Sequence, residues 1–168
     1  MLYFAYGSNL NLEHLAAYLT SRGVSWSTPK RPRLAILPDH RLRTNYFSTA
    51  HQAGACNVEP AAGRLVEGII LQITEDVRSA LRRKEGYPRC YEEVEIKVIA
   101  STKKIVRAFT YVVNPVHRLD RNLPVTRKYR RLILDGAKAV GLSTTYQTFL
   151  RHLLKHLPDT DVALVNAE

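Results

Sequence analysis

The segment Leu2-Tyr3-Phe4-Ala5-Tyr6-Gly7-Ser8-Asn9-Leu10 opens the chain and sets how the rest is organised. Its apolar first half stops at Gly7, which predicts a short buried strand followed by a turn. A helix is predicted directly afterwards, because leucines recur at helical spacing from Leu12 to Leu19 and Asn11 suits an N-cap. A turn between a strand and a helix presents free backbone N–H groups, a setting that suits a carboxylate or an oxyanion. Taken alone, an ordinary strand-to-helix connection is the commoner explanation of this pattern.

Composition and charge limit the class of protein. The chain has 168 residues, of which 45% are hydrophobic and 24% charged, so a single globular domain spanning residues 1–168 is predicted. Its 25 Lys and Arg against 15 Asp and Glu give a net charge of +10, which attracts nucleic acid, acidic membrane surfaces or small carboxylates without choosing among them.

Two distant cysteines, Cys56 and Cys90, favour reduced thiols over a disulfide scaffold or a thiolate zinc site. No apolar run approaches the roughly 20 residues of a membrane-spanning helix, and the first residues lack the pattern of a secretory signal, so a cytoplasmic protein is predicted.

Strand patterns concentrate in the middle of the chain. Arg64 to Ile73 predicts a mostly buried strand in which Gly68 permits a bend or a close backbone approach. Apolar and charged residues alternate from Tyr91 to Ala100, which predicts a half-exposed strand with Ile105 to Val113 as its neighbour. The prolines and basic residues of Lys30 to Pro38 favour an edge strand over a central one.

Three further helices are predicted, over Thr74 to Lys84, Arg127 to Val140 and about Thr144 to Leu157. Gly86 follows the first and Gly141 the second, at positions suited to a C-terminal stop. Strands in the middle, with helices at the ends and at one crossover, favour an α+β sheet or small barrel over a doubly wound parallel sheet.

Glu85 is a candidate acid or base, because it lies at the edge of a predicted helix and directly before a turn that contains Tyr87. An unperturbed glutamate has a pKa of about 4.3, and partial burial would raise it toward the range in which a carboxylate accepts a proton efficiently. From the residues alone, a solvated Glu85 paired with Arg82 or Lys84 is the favoured interpretation.

Other reactive residues give weaker indications. Cys90 lies near Glu85, but no paired histidine is identified, so a small semi-buried residue is predicted. His152 and His156 have the spacing of a metal pair but lack the Glu of a His-Glu-x-x-His motif, so a solvated helix face and no metal site are predicted. Ser8 lacks a Gly-x-Ser-x-Gly elbow and is assigned to binding. The basic clusters have few aromatic residues interleaved, which argues against a nucleic-acid module.

Four groups of motifs together resemble the gamma-glutamylcyclotransferase family. The opening octapeptide is specific to that family, whereas the Glu-Gly pair is weak on its own, and the order and spacing of the motifs cover most of the chain. They are Tyr3 to Leu10, then Val66-Glu67-Gly68, then Glu85-Gly86-Tyr87 before Tyr91, and finally Tyr129, Leu132-Ile133, Gly136-Ala137, Gly141-Leu142 and Tyr146. The last series resembles the gamma-glutamyl-amino-acid and butirosin-biosynthesis branches.

The resemblance implies an α+β fold with a small mixed β-barrel and flanking helices. It implies that the free α-amine of a gamma-glutamyl group attacks its own gamma-carbonyl, which releases 5-oxoproline and an amine or amino acid. Glu85 matches the catalytic acid/base and Tyr129 a substrate-contacting tyrosine, and the substrate-binding segment matches Tyr3, Phe4, Ala5, Tyr6, Gly7 and Ser8. No metal and no cofactor is implied, the expected partner is a small gamma-glutamyl compound, and a homodimer is allowed. An α-amine titrates near about 8, so this chemistry predicts a raised pKa for Glu85.

The leaving group is not selected by the sequence. Family members act on gamma-glutamyl amino acids, glutathione, gamma-glutamyl amines or acylated antibiotics, and Asn9 argues modestly against the glutathione branch. The segment from Ser27 to Asn57 matches no motif and is a candidate wall of the leaving-group pocket. The alternative function is a non-catalytic relative that binds an anionic metabolite or nucleic acid through its basic surface, and the presence of Glu85 argues against it.

Overall fold

A closed five-stranded β-barrel organises residues 1–155, which are the residues that the computed structural model describes. The strands follow one another around the barrel in the order β1-β3-β2-β4-β5, and β5 closes it by pairing with β1 in parallel. All other pairs are antiparallel. The strands are β1 (Leu2–Ala5), β2 (Arg33–Ser48), β3 (Ala53–Gln72), β4 (Tyr91–Ala100) and β5 (Ile105–Val113). The predicted mixed barrel of the α+β class is thereby confirmed.

Four helices flank the barrel, and each begins at a side chain that caps its first backbone N–H groups. The helices are α1 (Leu12–Ser21), α2 (Glu75–Glu85), α3 (Arg127–Val140) and α4 (Thr144–Leu153), and the caps are Asn11, Thr74, Thr126 and Ser143. Short 3₁₀ turns at Ser8–Leu10 and Pro115–His117 complete the described elements. Helix α4 ends earlier than predicted, and the predicted end at Leu157 lies outside the described residues. None of the described helices is long and apolar enough to cross a membrane.

The first half of β2 is not an edge strand, so that prediction was wrong. β2 pairs with β3 over most of its length and with β4 at Ala35 and Ile36. Pro38 is accommodated at a register irregularity between Pro38 and His40 in the pairing with β3. A proline at such a bulge loses no ladder hydrogen bond. Closure of the barrel removes the sheet edge that the prolines had suggested.

Close packing against β1 and against the turn that follows it explains two of the glycines. A Cβ on Gly68 would collide with the carbonyl oxygen of Ala5 and lie 2.7 Å from the ring of Phe4, so the predicted close backbone approach is confirmed. On the other side, a Cβ on Gly136 of α3 would lie within 2.9 Å of the backbone of Leu10 and Asn11. Helix α3 therefore sits directly on the turn that follows β1, and its first turn reaches the candidate site.

Candidate active site

Two adjoining cavities meet at the end of α2. The outer cavity has a volume of about 320 Å³ and the inner one about 30 Å³. Both are lined by Ser8, Glu85, Tyr91 and Tyr129, so these four side chains stand at the passage between them. A cavity needs about 10–15 Å³ to hold one water molecule, so the inner cavity fits a single small polar group.

Glu85 is the last residue of α2, and the backbone directs its side chain to this passage. Gly86 ends the helix in the left-handed conformation, with φ at 65°, which a glycine adopts without steric cost. The half-buried carboxylate accepts a hydrogen bond at its Oε1 atom from the Nδ2 atom of Asn9, over 3.0 Å. A helix end and a buried amide therefore fix the position of this carboxylate.

Neither basic neighbour of Glu85 in sequence forms an ion pair with it in the described part of the chain. Arg82 instead binds Glu93, with 2.7 Å between the guanidinium and the carboxylate. Lys84 donates its Nζ proton to the Oδ1 atom of Asn9, over 2.7 Å. The solvated ion pair favoured from the isolated residues is therefore not formed, and Glu85 keeps a carboxylate oxygen available to the cavities.

Asn9 connects the polar groups of the site. It is only 4% exposed, and its Nδ2 atom donates to the hydroxyl oxygen of Tyr3 over 2.8 Å as well as to Glu85. A lysine can only donate, so the contact with Lys84 identifies the amide oxygen and fixes the orientation of the amide. Every polar atom of the amide is thus engaged, and Asn9 holds the Tyr3 hydroxyl and the Glu85 carboxylate at a set separation.

The Tyr3 hydroxyl is a hydrogen-bond donor inside the inner cavity. Burial, with a further contribution from the charge of Glu85, raises the pKa of Tyr3 well above its usual value, so the phenol stays protonated at neutral pH. Its oxygen accepts from Asn9, and its own proton has no acceptor among residues 1–155. Tyr3 can therefore donate to a group bound in the inner cavity.

Tyr129, in the first turn of α3, closes the opposite side of the passage. Its hydroxyl accepts a hydrogen bond from the backbone N–H of Cys56 over 3.1 Å and would lie 3.8 Å from a Cβ on Gly7. Burial raises the pKa of Tyr129, and it raises the pKa of the Cys56 thiol to about 12. Cys56 is therefore a structural thiol and not a thiolate nucleophile. Cys90 is half-buried and lines the outer cavity.

Six of the eight residues predicted for the site lie together at these cavities: Glu85, Tyr3, Tyr6, Gly7, Ser8 and Tyr129. The other two, Phe4 and Ala5, line neither cavity and are fully buried against Gly68. Successive side chains of a strand point to opposite faces, which separates Phe4 from Tyr3. The predicted substrate-binding segment thus faces the site through part of its length.

Two tyrosines of the site are held by hydrogen bonds to backbone carbonyl groups. Tyr91 donates its hydroxyl proton to the carbonyl oxygen of Cys56 over 2.9 Å, and Tyr6 donates to the carbonyl oxygen of Tyr111 over 2.6 Å. Tyr6 was predicted for the site, whereas Tyr91 was recognised only as part of a motif. The place of Tyr91 at the start of a strand beside the Glu-Gly turn is the signal that could have identified it. The segment from Ser27 to Asn57 contributes six residues to the outer cavity: Tyr46, Ser48, Thr49, Ala50, His51 and Ala55.

Within residues 1–155, no group of three or more His, Cys, Asp or Glu side chains is placed to hold a metal ion. His152 is exposed on α4, and His156, the other member of the pair, lies outside the described residues.

The sequence model of the AIG2-like family matches residues 65–150, just over half of the chain and including Glu85 and Tyr129. The chain belongs to the AIG2-like family. It is 28% identical over 155 residues to the gamma-glutamylcyclotransferase of Mus musculus, with 89% of this chain and 77% of the relative covered. It is 26% identical over 151 residues to the gamma-glutamylcyclotransferase of Homo sapiens, with the same shares covered.

Solved structures show the same fold. A gamma-glutamyl cyclotransferase superposes with a TM-score of 0.77 at 22% identity, covering 99% of this chain and 98% of that one. YkqA from Bacillus subtilis superposes with a TM-score of 0.75 at 22% identity, covering 94% of this chain and 56% of that one. The resemblance to the gamma-glutamylcyclotransferase family, drawn from the sequence motifs, is confirmed by these relatives together.

Proposed function

We propose that this AIG2-like protein is a gamma-glutamyl cyclotransferase that converts a gamma-glutamyl compound into 5-oxoproline and a free amine or amino acid. The observation that carries the proposal is the position of the Glu85 carboxylate at the passage between a small cavity of about 30 Å³ and a larger one of about 320 Å³. The relatives that match most of this chain are named gamma-glutamylcyclotransferases, which supports the same activity.

The main task of the protein in this reaction is to orient the substrate. The nucleophile is the α-amine of the substrate itself, and the new bond joins that nitrogen to the gamma-carbon. A well-oriented intramolecular attack lowers the barrier by as much as about 7–11 kcal/mol relative to separate reactants. The inner cavity accordingly receives one polar end of the glutamyl group. The rest of the group lies folded across the passage at Glu85, with its amine close to its own gamma-carbonyl.

The walls of the inner cavity supply donors for the oxygens of the substrate. The backbone N–H groups of Gly7 and Ser8 begin a 3₁₀ turn and have no partner within that turn. We assign them to the oxyanion that develops on the gamma-carbonyl, where one such donor contributes roughly 3–4 kcal/mol. We assign the Tyr3 hydroxyl to the α-carboxylate, which is a charge present throughout the reaction.

Glu85 moves the proton. As the ring closes, its carboxylate takes a proton from the α-ammonium group, and it then gives that proton to the nitrogen of the leaving amine as the gamma-amide bond breaks. The proton is returned within one turnover, so no external acid or base is consumed. The leaving amine departs through the outer cavity, which Glu85 also lines.

The test is the release of 5-oxoproline, measured by mass spectrometry with gamma-glutamyl-alanine, glutathione, gamma-glutamyl-lysine and gamma-glutamyl aminoglycosides. Wild type is expected to release it from at least one of these substrates, and Glu85→Gln is expected to lose that activity while remaining folded by circular dichroism. Glu75→Gln is the matched control, because it removes an exposed carboxylate from the other end of the same helix. The absence of 5-oxoproline with folded wild type and every substrate would overturn the proposal.

The alternative of a non-catalytic relative that binds an anionic metabolite or nucleic acid is not favoured by relatives that are named as enzymes. We also propose that the protein acts in the cytoplasm, in the metabolism of glutathione or related gamma-glutamyl compounds. The two free cysteines, Cys56 and Cys90, support a reducing compartment. The homodimer and the single-domain organisation stay predictions.

A further inference from the structure

The wall of the outer cavity beyond Glu85 is cationic. Arg83 and Lys84 line it together with two histidines, His14 and His51. Of the acidic side chains in the described part of the chain, only Glu85 lines this cavity. The reacting groups are already served by Glu85 and the inner cavity, so these cations need another explanation.

Arg83 lies on this wall without a partner. Its side chain is exposed, and no residue from 1 to 155 forms a hydrogen bond or ion pair with its guanidinium. Two arginines of the same helix, Arg78 and Arg82, behave differently, since both bind the carboxylate of Glu93 at 2.7 Å. The guanidinium of Arg83 is therefore free to bind an anion that enters the outer cavity.

Lys128 supplies a second cation whose ammonium group has no hydrogen-bond or ion-pair partner among residues 1–155. It lies outside the lining of the outer cavity and acts on it through its charge. It is exposed in the first turn of α3, directly before Tyr129. Partial burial lowers the pKa of both His14 and His51, and the charges of Lys84 and Lys128 lower both further. The positive charges of both lysines thus disfavour protonation of the two histidines in the cavity wall. The two imidazoles are therefore neutral at neutral pH and can form hydrogen bonds.

The volume of the outer cavity, about 320 Å³, lies at the lower end of the range for small-molecule sites. It suits a leaving group of the size of one amino acid. This cavity is lined by the free guanidinium of Arg83 and by Lys84, and Glu85 is the one carboxylate of the described residues that lines it. Such a site is complementary to an anionic occupant, and this complementarity raises specificity more than raw affinity.

Resting on the proposed function, we propose that the outer cavity selects gamma-glutamyl compounds whose leaving group is an amino acid with an acidic side chain. Arg83 and Lys128 are the specificity-determining residues. With gamma-glutamyl-glutamate, the bond from the α-amine to the gamma-carbon forms, the gamma-amide bond breaks, and the proton passes through Glu85 to the released glutamate. The products are 5-oxoproline and glutamate, and no other reactant is needed.

The test compares kcat/KM for gamma-glutamyl-glutamate with that for gamma-glutamyl-glutamine, which has the same shape without the side-chain charge. An exposed ion pair contributes roughly 0.2–1 kcal/mol, so two of them predict a preference of about fivefold for the acidic dipeptide at low ionic strength. We expect gamma-glutamyl-lysine to be a poorer substrate than either. Added salt is expected to reduce the preference.

The double variant Arg83→Gln with Lys128→Gln is expected to bring the ratio close to one, mainly through KM. Lys138→Gln is the matched control, because it removes one exposed lysine from the same helix about 15 Å further along. It should retain the full preference. Equal kcat/KM for the two dipeptides with wild type, or an unchanged preference in the double variant, would overturn the inference.

Binding separates this inference from the proposed function. Isothermal titration of Glu85→Gln with the unreacted dipeptides is expected to show the same preference in Kd. A binding preference without turnover in wild type would overturn the proposed function and leave the acidic selectivity standing. Turnover of both dipeptides without any preference in rate or in binding would overturn the acidic selectivity and leave the proposed function standing.

Discussion

Replacing Asn9 by aspartate tests the hydrogen-bond network around Glu85 in a nearly isosteric way. The substitution removes both amide protons, which the side chain donates to Tyr3 over 2.8 Å and to Glu85 over 3.0 Å. It keeps an oxygen for Lys84, which contacts the Oδ1 atom at 2.7 Å. The new side chain therefore faces Glu85 with an acceptor where the wild type has a donor.

A hydrogen bond to a charged group contributes about 1.5–3 kcal/mol, so the loss of the contact with Glu85 predicts a decrease in kcat of roughly 10- to 150-fold. Two carboxylates at this distance disfavour each other's charged form, so protons are bound more tightly. The acidic limb of the pH–rate profile is therefore expected to move to higher pH.

The assay is the initial rate of 5-oxoproline release across a pH series, with folding checked by thermal denaturation. Asn11→Asp is the control, since aspartate caps a helix about as well as asparagine and the N-cap of α1 should survive. If folded Asn9→Asp kept the wild-type kcat and pH profile, the idea that Asn9 positions Glu85 would be refuted.

Three further outcomes follow from the structure. Tyr3→Phe removes the donor of the inner cavity and is expected to raise KM about tenfold with little change in the denaturation midpoint; an unchanged KM would remove Tyr3 from substrate binding. Gly68→Ala forces a Cβ against the Ala5 carbonyl oxygen and should destabilise the fold by about 3 kcal/mol in urea denaturation, whereas a wild-type midpoint would contradict the packing of β1 on β3. Burial would raise the pKa of Glu93, but the hydrogen bonds and charges of the arginines that bind it outweigh burial and hold this pKa at about 2, below its usual value. The contribution of Glu93 to the free energy of unfolding is therefore full above about pH 4.5 and is lost as the pH falls toward 2. Glu93→Gln should flatten the stability curve between these pH values, and an unflattened curve would count against this ion-pair network.

The elements with local signals were the predictable part of the fold. Helix α2 illustrates this, because its cap at Thr74 and its stop at Gly86 both lie within a few residues of the helix. The strands β4 and β5 likewise show an alternation that needs no distant partner to be recognised. β2 was wrongly predicted as an edge strand because its pairing with both β3 and β4 depends on closure of the whole barrel. The local sequence around Pro38 contains no signal for that closure.

The candidate site likewise has a part that the sequence predicted and a part that it did not. Glu85 and the opening segment were recognised through motifs, but the partners of Glu85 were not, since Asn9 lies 76 residues away in sequence and Lys84 turns to Asn9 instead of to its neighbour. Phe4 illustrates the opposite case, because a motif match includes every residue of a strand whereas only one face can line a cavity. The raised pKa predicted for Glu85 stays a prediction that the pH–rate profile addresses.

The most direct test of the central claim is to run the reaction in water enriched in heavy oxygen, with gamma-glutamyl-glutamate as substrate. Intramolecular cyclisation predicts 5-oxoproline without label from wild type, and a rate about 100- to 10,000-fold lower from Glu85→Gln, which loses its acid/base group. Labelled glutamate released by hydrolysis, or an undiminished rate in folded Glu85→Gln, would contradict the account.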